Sequence, residues 1–383
     1  MRRLGKREWG LRRVGDAAVS TVIDSSRIFL LGILAFVIFA PMALQAQNAQ
    51  EQSSSAWIRP QHAGDQLIWG RRDGLVFGLP SPGGLGGPRG LIRVGILSPE
   101  TGKPALLNFI AIEPVILGPG SRFGRMAFSE LEESQLDSGK RGKRLWVAEG
   151  PVAGTLQTLH AGHNTVERLS VPIAVERYSA NGAHVHLIAS VDSDHPDELR
   201  LSVFAYPDSP PIEELTVTAT MGNYERLREV WLRGHNVDSL KLYGSYQEDA
   251  FAEHENYPLD EMLRTTDGDA IVLATSSEAS PASAPSHAAP HWHYAFPMRL
   301  TQYWRVAAHD IQPDLRVRVN GRRVYWASHD PLPRGPAFEN IEVRQRYKEG
   351  QTFIFGVTPK EPWQFAPPIP ELSEDHGIDS SSR

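Results

Sequence analysis

The chain contains no cysteine among its 383 residues. Disulfide bonds, thiolate nucleophiles and cysteine-ligated zinc or iron–sulfur centres are therefore excluded. The G-x-S-x-G nucleophile elbow and the HExxH zinc motif are also absent. A Gly-rich segment at 81–90 lacks the Gly-Lys-Ser/Thr ending of a phosphate-binding loop, so we interpret it as a turn. No common catalytic motif identifies a reaction, and stability must come from burial of a core.

The N-terminus combines a basic head with a long apolar run. Residues 1–27 carry seven basic side chains, and residues 28–44 are uncharged and almost wholly apolar. This order is typical of an export signal, because the positive end stays in the cytoplasm while the apolar run enters the bilayer. We predict that residues 1–46 are a signal peptide or signal-anchor. The protein would then be periplasmic or extracellular, and tethered to the cytoplasmic membrane if 28–44 is retained.

The charge balance narrows the range of partners. Without residues 1–46, the chain holds 32 basic against 42 acidic residues. An acidic exported domain is poorly suited to nucleic acid or to anionic lipid surfaces, so neither is expected as a partner. No sequence feature calls for a cofactor, and we predict none.

Short apolar runs dominate the chain from Gln66 onward. They are rich in Val, Ile, Leu and aromatic residues, and turn residues interrupt them every eight to twelve positions. This pattern is typical of an antiparallel β-sandwich, and we predict a mainly β fold with a single such domain over 66–360. We interpret 47–65 as a disordered tether, 275–290 as a mobile Ser/Ala/Pro-rich loop and 361–383 as a disordered tail.

One hairpin and one helix are predicted from local patterns. Asn320-Gly321 is a favoured two-residue turn, which would pair Val317 with Val324 and place neighbouring arginines on an opposite, basic face. The segment MGNYERLREVWLRG is predicted as the only short inserted helix, with its apolar residues on one stripe and Gly234 after its last turn.

Three close histidine pairs are candidate metal ligands. His184-x-His186 and His291-x-His293 would point to one side of a strand, and His160-x-x-His163 lies in a Gly-flanked segment. No third ligand stands at a recognisable spacing from any pair, so no metal site is predicted.

Polar and aromatic residues cluster in the second half of the chain. Aromatic rings stack on the C–H faces of sugars, and planar polar groups bracket sugar hydroxyls. A sandwich also buries aromatic residues for its own packing, and that interpretation stays open. If the clusters form a sugar site, the predicted binding residues are Asn223, Arg226, Trp292, Tyr303, Arg305 and Trp326.

Several strings together resemble a family of exported bacterial proteins without an assigned reaction. They are NFIAIEPV, TATMGNYERLREVWL, YPLDEMLRTTDGD, TQYWR and the VNGRRVYWASHDPLP, AFENIEVRQRY and GQTFIFGVT parts of 319–358. The resemblance covers about residues 66–360. At the level of fold, the strand-rich layout also resembles the galactose-mutarotase-like supersandwich.

The supersandwich resemblance implies a carboxylate and a histidine that handle sugar protons on a concave sheet. Glu339, after a Pro-Ala-Phe turn, matches the carboxylate and would act as the general base. His291 or His254 matches the histidine and would act as the acid. Two functions therefore remain: a carbohydrate-binding or carbohydrate-processing exported β-sandwich, and a non-catalytic, membrane-tethered structural or interaction module.

Overall fold

A computed structural model gives the fold from Ala56 onward. The structure describes residues 56–79, 92–98, 101–116, 125–126, 145–148, 150–161, 164–178, 181–220, 222, 225–277, 299–325, 329–365 and 367–373. The predicted export segment 1–46 lies outside these residues.

The described chain is mainly β, and its strands pair antiparallel in two sheets. The prediction of a mainly β, antiparallel fold is thereby confirmed. The strands are β1 (Trp57–Ile58), β2 (Ile68–Arg71), β3 (Leu75–Gly78), β4 (Ile92–Leu97), β5 (Pro104–Ile116), β6 (Arg125–Met126), β7 (Leu145–Val147), β8 (Thr155–Ala161), β9 (Asn164–Val175), β10 (Val185–Asp192), β11 (Glu198–Ala205), β12 (Glu214–Thr220), β13 (Leu227–Leu232), β14 (His235–Asp238), β15 (Glu255–Pro258), β16 (Leu263–Arg264), β17 (Ala270–Ser276), β18 (Thr301–Val306), β19 (Arg316–Arg322), β20 (Ala337–Arg346) and β21 (Thr352–Thr358).

Each sheet mixes strands from distant parts of the chain. Sheet A has ten described strands in the order β1-β2-β3-β4-β5-β12-β20-β19-β15, with β6 paired to β5. Sheet B has eleven in the order β14-β13-β17-β18-β21-β11-β10-β9-β7, with β16 paired to β17 and β8 to β9. The last two described strands, β20 and β21, therefore lie in the interior of different sheets.

The two sheets share one large apolar core. Alternate residues on each strand supply it, as expected when one face of a sheet is buried. Polar contacts cross between the sheets within the core: for example, Asn108 Nδ2 donates to Gln302 Oε1 at 2.7 Å, and Trp304 Nε1 donates to the Ile341 carbonyl at 2.8 Å. Because these donor and acceptor atoms are paired, their burial carries little penalty.

Helices are short in the described chain. They are the α-helices Ser239–Tyr243 and Pro370–Ser373 and the 3₁₀ turns Leu259–Glu261, Ala308–Asp310 and Pro362–Gln364. Asp238 caps the first of these by accepting a hydrogen bond from the Lys241 backbone N–H at 3.0 Å.

The predicted helix in MGNYERLREVWLRG is wrong. Leu227–Leu232 forms β13, which pairs with β14 on one side and with β17 on the other. Gly234, which the helical interpretation placed after the last turn, instead has φ +72° in the β13–β14 hairpin turn. Pairing with two strands outweighs the local helix propensity of the segment.

The predicted Asn320-Gly321 hairpin is also wrong. Strand β19 continues through both residues to Arg322, and Val317 pairs with Val343 of β20, not with Val324. A Cβ added to Gly321 would overlap the Tyr243 ring, so glycine serves a close contact there. The residue is needed for packing rather than for turn geometry.

Regular structure extends into both predicted disordered flanks of the sandwich. Trp57 of β1, within the predicted tether 47–65, is 4% exposed and belongs to the core. Within the predicted tail 361–383, residues 362–373 contain a 3₁₀ turn and a short helix. Of the predicted loop 275–290, the structure describes only the first three residues, which include the end of β17.

Candidate functional site

The outer face of sheet A, which points away from the shared core, is lined with charged and hydroxyl-bearing side chains that are buried or half-buried. Since side chains alternate along a strand, the residues between core positions point to this face. The strand register places Glu342 opposite both Thr218 and Arg318. We call the following residues the polar face: Arg93, Glu113, Glu214, Thr216, Thr218, Arg316, Arg318, Asn340, Glu342 and Arg344.

A histidine, a carboxylate and an arginine form a chain on the polar face. His254 Nε2 lies 2.8 Å from Glu342 Oε1, and Arg318 Nη1 lies 3.1 Å from Glu342 Oε2. The Glu342 side chain is 5% exposed, whereas the His254 side chain is 28% exposed. When the histidine donates to this buried carboxylate, its ring orientation and tautomer are fixed. The arrangement suits proton exchange or hydrogen bonding at the exposed side of the imidazole.

A second cluster lies further along the same strands. Arg316 Nη2 donates to Glu214 Oε1 at 2.8 Å, and Arg344 Nε donates to Glu214 Oε2 at 2.9 Å. Burial opposes ionisation of Glu214, but the two arginines outweigh it and hold the pKa of this carboxyl below its ordinary value. Elsewhere on the polar face, the Thr218 hydroxyl donates to Glu113 Oε1 at 3.2 Å.

Glu339 lies in a β-bulge near the start of β20. Asn320 pairs with Asn340 while the adjacent Gly321 pairs with Phe338, so the register passes over Glu339. Glu339 is 1% exposed. It precedes Glu342 by three residues, which is about 10 Å along a strand at roughly 3.3 Å per residue. His254 contacts Glu342, as described above. Glu339 therefore occupies a separate position on the strand.

The turn before β13 packs against this bulge. A Cβ added to Gly222 would lie 3.1 Å from the Phe338 carbonyl oxygen and 3.6 Å from that of Glu339. Arg226, a predicted binding residue, is 5% exposed and has φ +50°, an uncommon conformation for a side chain of its size. The structure thus places the turn that carries Arg226 beside the strand segment that carries Glu339.

Glu225, next to Arg226, is a buried carboxyl group with a raised pKa. It is 2% exposed, and its Oε1 has no hydrogen-bond donor among the described residues. Burial raises its pKa to about 8, and the nearby charge of Arg226 offsets this only in part. The side chain is thus largely protonated at neutral pH.

Tyr303 and Arg305 lie on the outer face of sheet B, away from the polar face. Arg305 Nε donates to Glu198 Oε1 at 3.0 Å, and Arg305 Nη1 also pairs with Asp269. The Tyr303 hydroxyl donates to the same Glu198 oxygen at 3.1 Å, and its ring packs edge-on against Phe365. Burial opposes the charge of Arg305, but the two carboxylates outweigh it and raise its pKa above the ordinary value.

The structure therefore divides the predicted site residues among three groups. His254, Glu339 and Arg226 belong to sheet A or the turn beside it, whereas Tyr303 and Arg305 belong to sheet B. The remaining predicted residues, Asn223, His291, Trp292 and Trp326, lie outside the described residues.

Sequence reasoning missed Glu342, the carboxylate that orients His254. A signal was present, because Glu342 and Arg344 alternate with Ile341 and Val343 in the run ENIEVRQR. Two charged residues on one side of a strand indicate a polar face, but the partner strand that brings His254 to Glu342 is distant in sequence.

Among the histidine pairs, only His184-x-His186 is described at both residues. His184 Nδ1 lies 2.8 Å from Asp208 Oδ1, and both imidazoles lie against the Tyr206 ring. Burial lowers the pKa of His186. Within the described ranges, no group of three or more His, Asp or Glu residues is arranged to hold a metal ion.

Comparison with known proteins assigns no family. Over the described residues, no helix is long and apolar enough to cross a membrane. No family model matches the sequence, and no curated protein matches it.

Proposed function

We propose that this protein is an exported carbohydrate-binding or carbohydrate-processing β-sandwich, and that the polar face of sheet A is its ligand site. The observation that carries the proposal is the His254–Glu342–Arg318 chain. A buried, hydrogen-bonded carboxylate orients a partly exposed histidine on a sheet whose neighbouring positions carry hydroxyl, carboxylate and guanidinium groups. Such groups bracket sugar hydroxyls.

His254 is the proposed proton-exchanging group. Glu342 accepts the Nε2–H of the imidazole, so Nδ1 is left to give or take a proton at a sugar hydroxyl or ring oxygen. Glu339 is proposed as a second carboxylate that acts on another part of the ligand, since it lies three residues from Glu342 on β20. The large sheets also support a supersandwich architecture, and the basic and apolar N-terminus supports export.

A non-catalytic interaction module is the second candidate. It is favoured by the second cluster of the polar face, where both oxygens of Glu214 are already engaged by arginines. Charges that satisfy one another in this way serve a structural role as well as a binding role.

A glycan array probed with the full chain separates these functions. His254→Gln removes the proposed proton-exchanging imidazole, and His309→Gln, an exposed histidine elsewhere, is the matched control. We expect binding or turnover of at least one glycan, reduced tenfold or more in His254→Gln and unchanged in His309→Gln. If no glycan is bound, or if both variants behave as wild type, the polar face is not a sugar site.

A further inference from the structure

A cleft on the outer side of sheet B lies between the β13–β14 hairpin and the C-terminal segment. Its volume is about 290 Å³, near the lower end of ligand pockets, which begin at about 300 Å³. Two tryptophans and several hydrogen-bonding groups line it. The main lining residues are Trp231, His235, Asn236, Trp363, Glu371 and Leu372.

The first wall of the cleft is held by the sheet. Trp231 of β13 pairs with Asn236 of β14, so the indole and the amide stand side by side on one face. The Trp231 Nε1 donates to Thr275 Oγ1 at 3.0 Å, and that hydroxyl contacts Glu229 Oε2 at 3.2 Å. The indole plane is therefore fixed before any ligand binds.

The second wall carries Trp363, which is 41% exposed. It lies in the 3₁₀ turn Pro362–Gln364, which is closed by a capping box between Glu361 and Gln364. Arg299 connects the two walls, because its guanidinium lies 3.8 Å from Glu361 and 3.6 Å from Glu229. A partly exposed tryptophan on a braced turn is well placed to stack on a ligand.

The charges at the cleft compensate one another. Arg233 Nη2 lies 3.1 Å from Glu371 Oε1, and His235 Nε2 lies 3.8 Å from Glu261 Oε2. Burial lowers the pKa of Arg264, and repulsion from the nearby Arg233 lowers it further. No excess of one charge is therefore offered to a ligand, which favours a neutral ligand over an acidic or basic one.

We propose that this cleft is a second, independent binding site, and that its ligand is a neutral saccharide. The faces of Trp231 and Trp363 stack on the C–H surface of a sugar ring, while Asn236, His235 and Glu371 hydrogen-bond its hydroxyls. The volume suits one or two sugar rings. No residue of this cleft belongs to the polar face of sheet A.

The test is an array of neutral and uronic-acid oligosaccharides probed with the full chain, followed by titration calorimetry on the best ligand. Trp363→Ala removes the exposed indole, and Phe251→Ala, an aromatic residue of similar exposure at 43%, is the matched control. We expect a neutral oligosaccharide to bind, with affinity reduced at least tenfold in Trp363→Ala and less than twofold in Phe251→Ala. Equal affinities in wild type and Trp363→Ala, a preference for uronic acids, or no binding would each overturn the proposal.

The same titrations distinguish this site from the polar face. Loss of binding in Trp363→Ala with retention in His254→Gln supports the cleft and shows that this ligand does not bind on the polar face. The opposite pattern supports the polar face alone and overturns the cleft. Trp231→Phe, which keeps an aromatic ring but removes the Nε1 bond to Thr275 that orients it, should weaken binding without unfolding the chain. Thermal unfolding of each variant checks that its fold is intact.

Discussion

Replacement of Glu225 by glutamine should stabilise the protein at neutral pH. The carboxyl is 2% exposed, and its Oε1 has no donor among the described residues. Folding therefore raises its pKa from an ordinary 4.5 to about 8. A carboxyl that binds its proton more tightly in the folded state stabilises folding at low pH, and this contribution is lost as the pH rises from 4.5 towards 8.

The size of the effect follows from the two pKa values. One pKa unit corresponds to about 1.4 kcal/mol, so the free energy of unfolding should fall by roughly 3 kcal/mol between pH 4.5 and pH 7 on account of this group. Above pH 8 the loss levels off near about 5 kcal/mol. Glutamine is uncharged at every pH, so the variant lacks this pH dependence while keeping the shape of the side chain.

Urea unfolding of wild type and Glu225→Gln, followed by tryptophan fluorescence at pH 5, 6, 7 and 8, measures the difference directly. All other titrating groups are common to both proteins and cancel. We expect the variant to gain about 1.2 kcal/mol relative to wild type for each pH unit over this range, with the smallest gain between pH 7 and pH 8. Glu253→Gln, at an exposed position, is the matched control. A flat difference for Glu225→Gln would refute the assigned burial and raised pKa.

Three further perturbations test other parts of the structure. Arg305→Met leaves two buried carboxylates without their cation and should lower the free energy of unfolding by about 3–5 kcal/mol, whereas Lys360→Met, at an exposed pair, should cost about 0–1 kcal/mol by the same urea titration. Gly356→Ala places a Cβ against the Tyr303 ring and should destabilise by about 1–3 kcal/mol, measured by thermal unfolding. Glu214, whose pKa is lowered by its arginines, stabilises the fold above about pH 4.5 and loses this as the pH falls through its folded pKa. Glu214→Gln should therefore unfold less steeply on acid titration below pH 4.5.

The strand content was predictable because hydrophobic runs and turn residues are local signals. Runs such as IWGR and LVFG coincide with strands β2 and β3, and the long run that begins near Pro104 forms β5. Which strands pair was not predictable. Strand β5 lies beside β12, about a hundred residues later, and nothing in either segment alone specifies that neighbour.

Both local errors arise from tertiary contacts that no short window contains. Leu227–Leu232 carries a helical stripe, but pairing with β14 and β17 makes it a strand. Asn320-Gly321 carries the sequence of a hairpin turn, but the Tyr243 ring occupies the space beside Gly321 and β19 continues. In each case the pattern of residue types is present in the sequence, but a tertiary contact, and not the local structure that the pattern predicts, explains it.

The sequence predicted which types of residue form the candidate site, but not which residues contact one another there. His254 is one of two histidines that the supersandwich resemblance implies, and in the structure its Nε2 lies 2.8 Å from Glu342 Oε1. The Trp231–Trp363 cleft joins the β13–β14 hairpin to the C-terminal segment, which was predicted to be disordered. A cleft formed by segments more than a hundred residues apart leaves no spacing in the sequence that could reveal it.

The interior positions of β20 and β21 have a consequence for how the chain folds. Until these last two strands are made and available, sheet A lacks the strand between β12 and β19, and sheet B lacks the strand between β18 and β11. Each half-sheet then presents open edges that can pair with other chains. Folding that depends on such distant pairings is slow, and the partly folded chain is prone to aggregation until these strands have paired. Truncation before Ala337 should therefore abolish both sheets together rather than trim one of them.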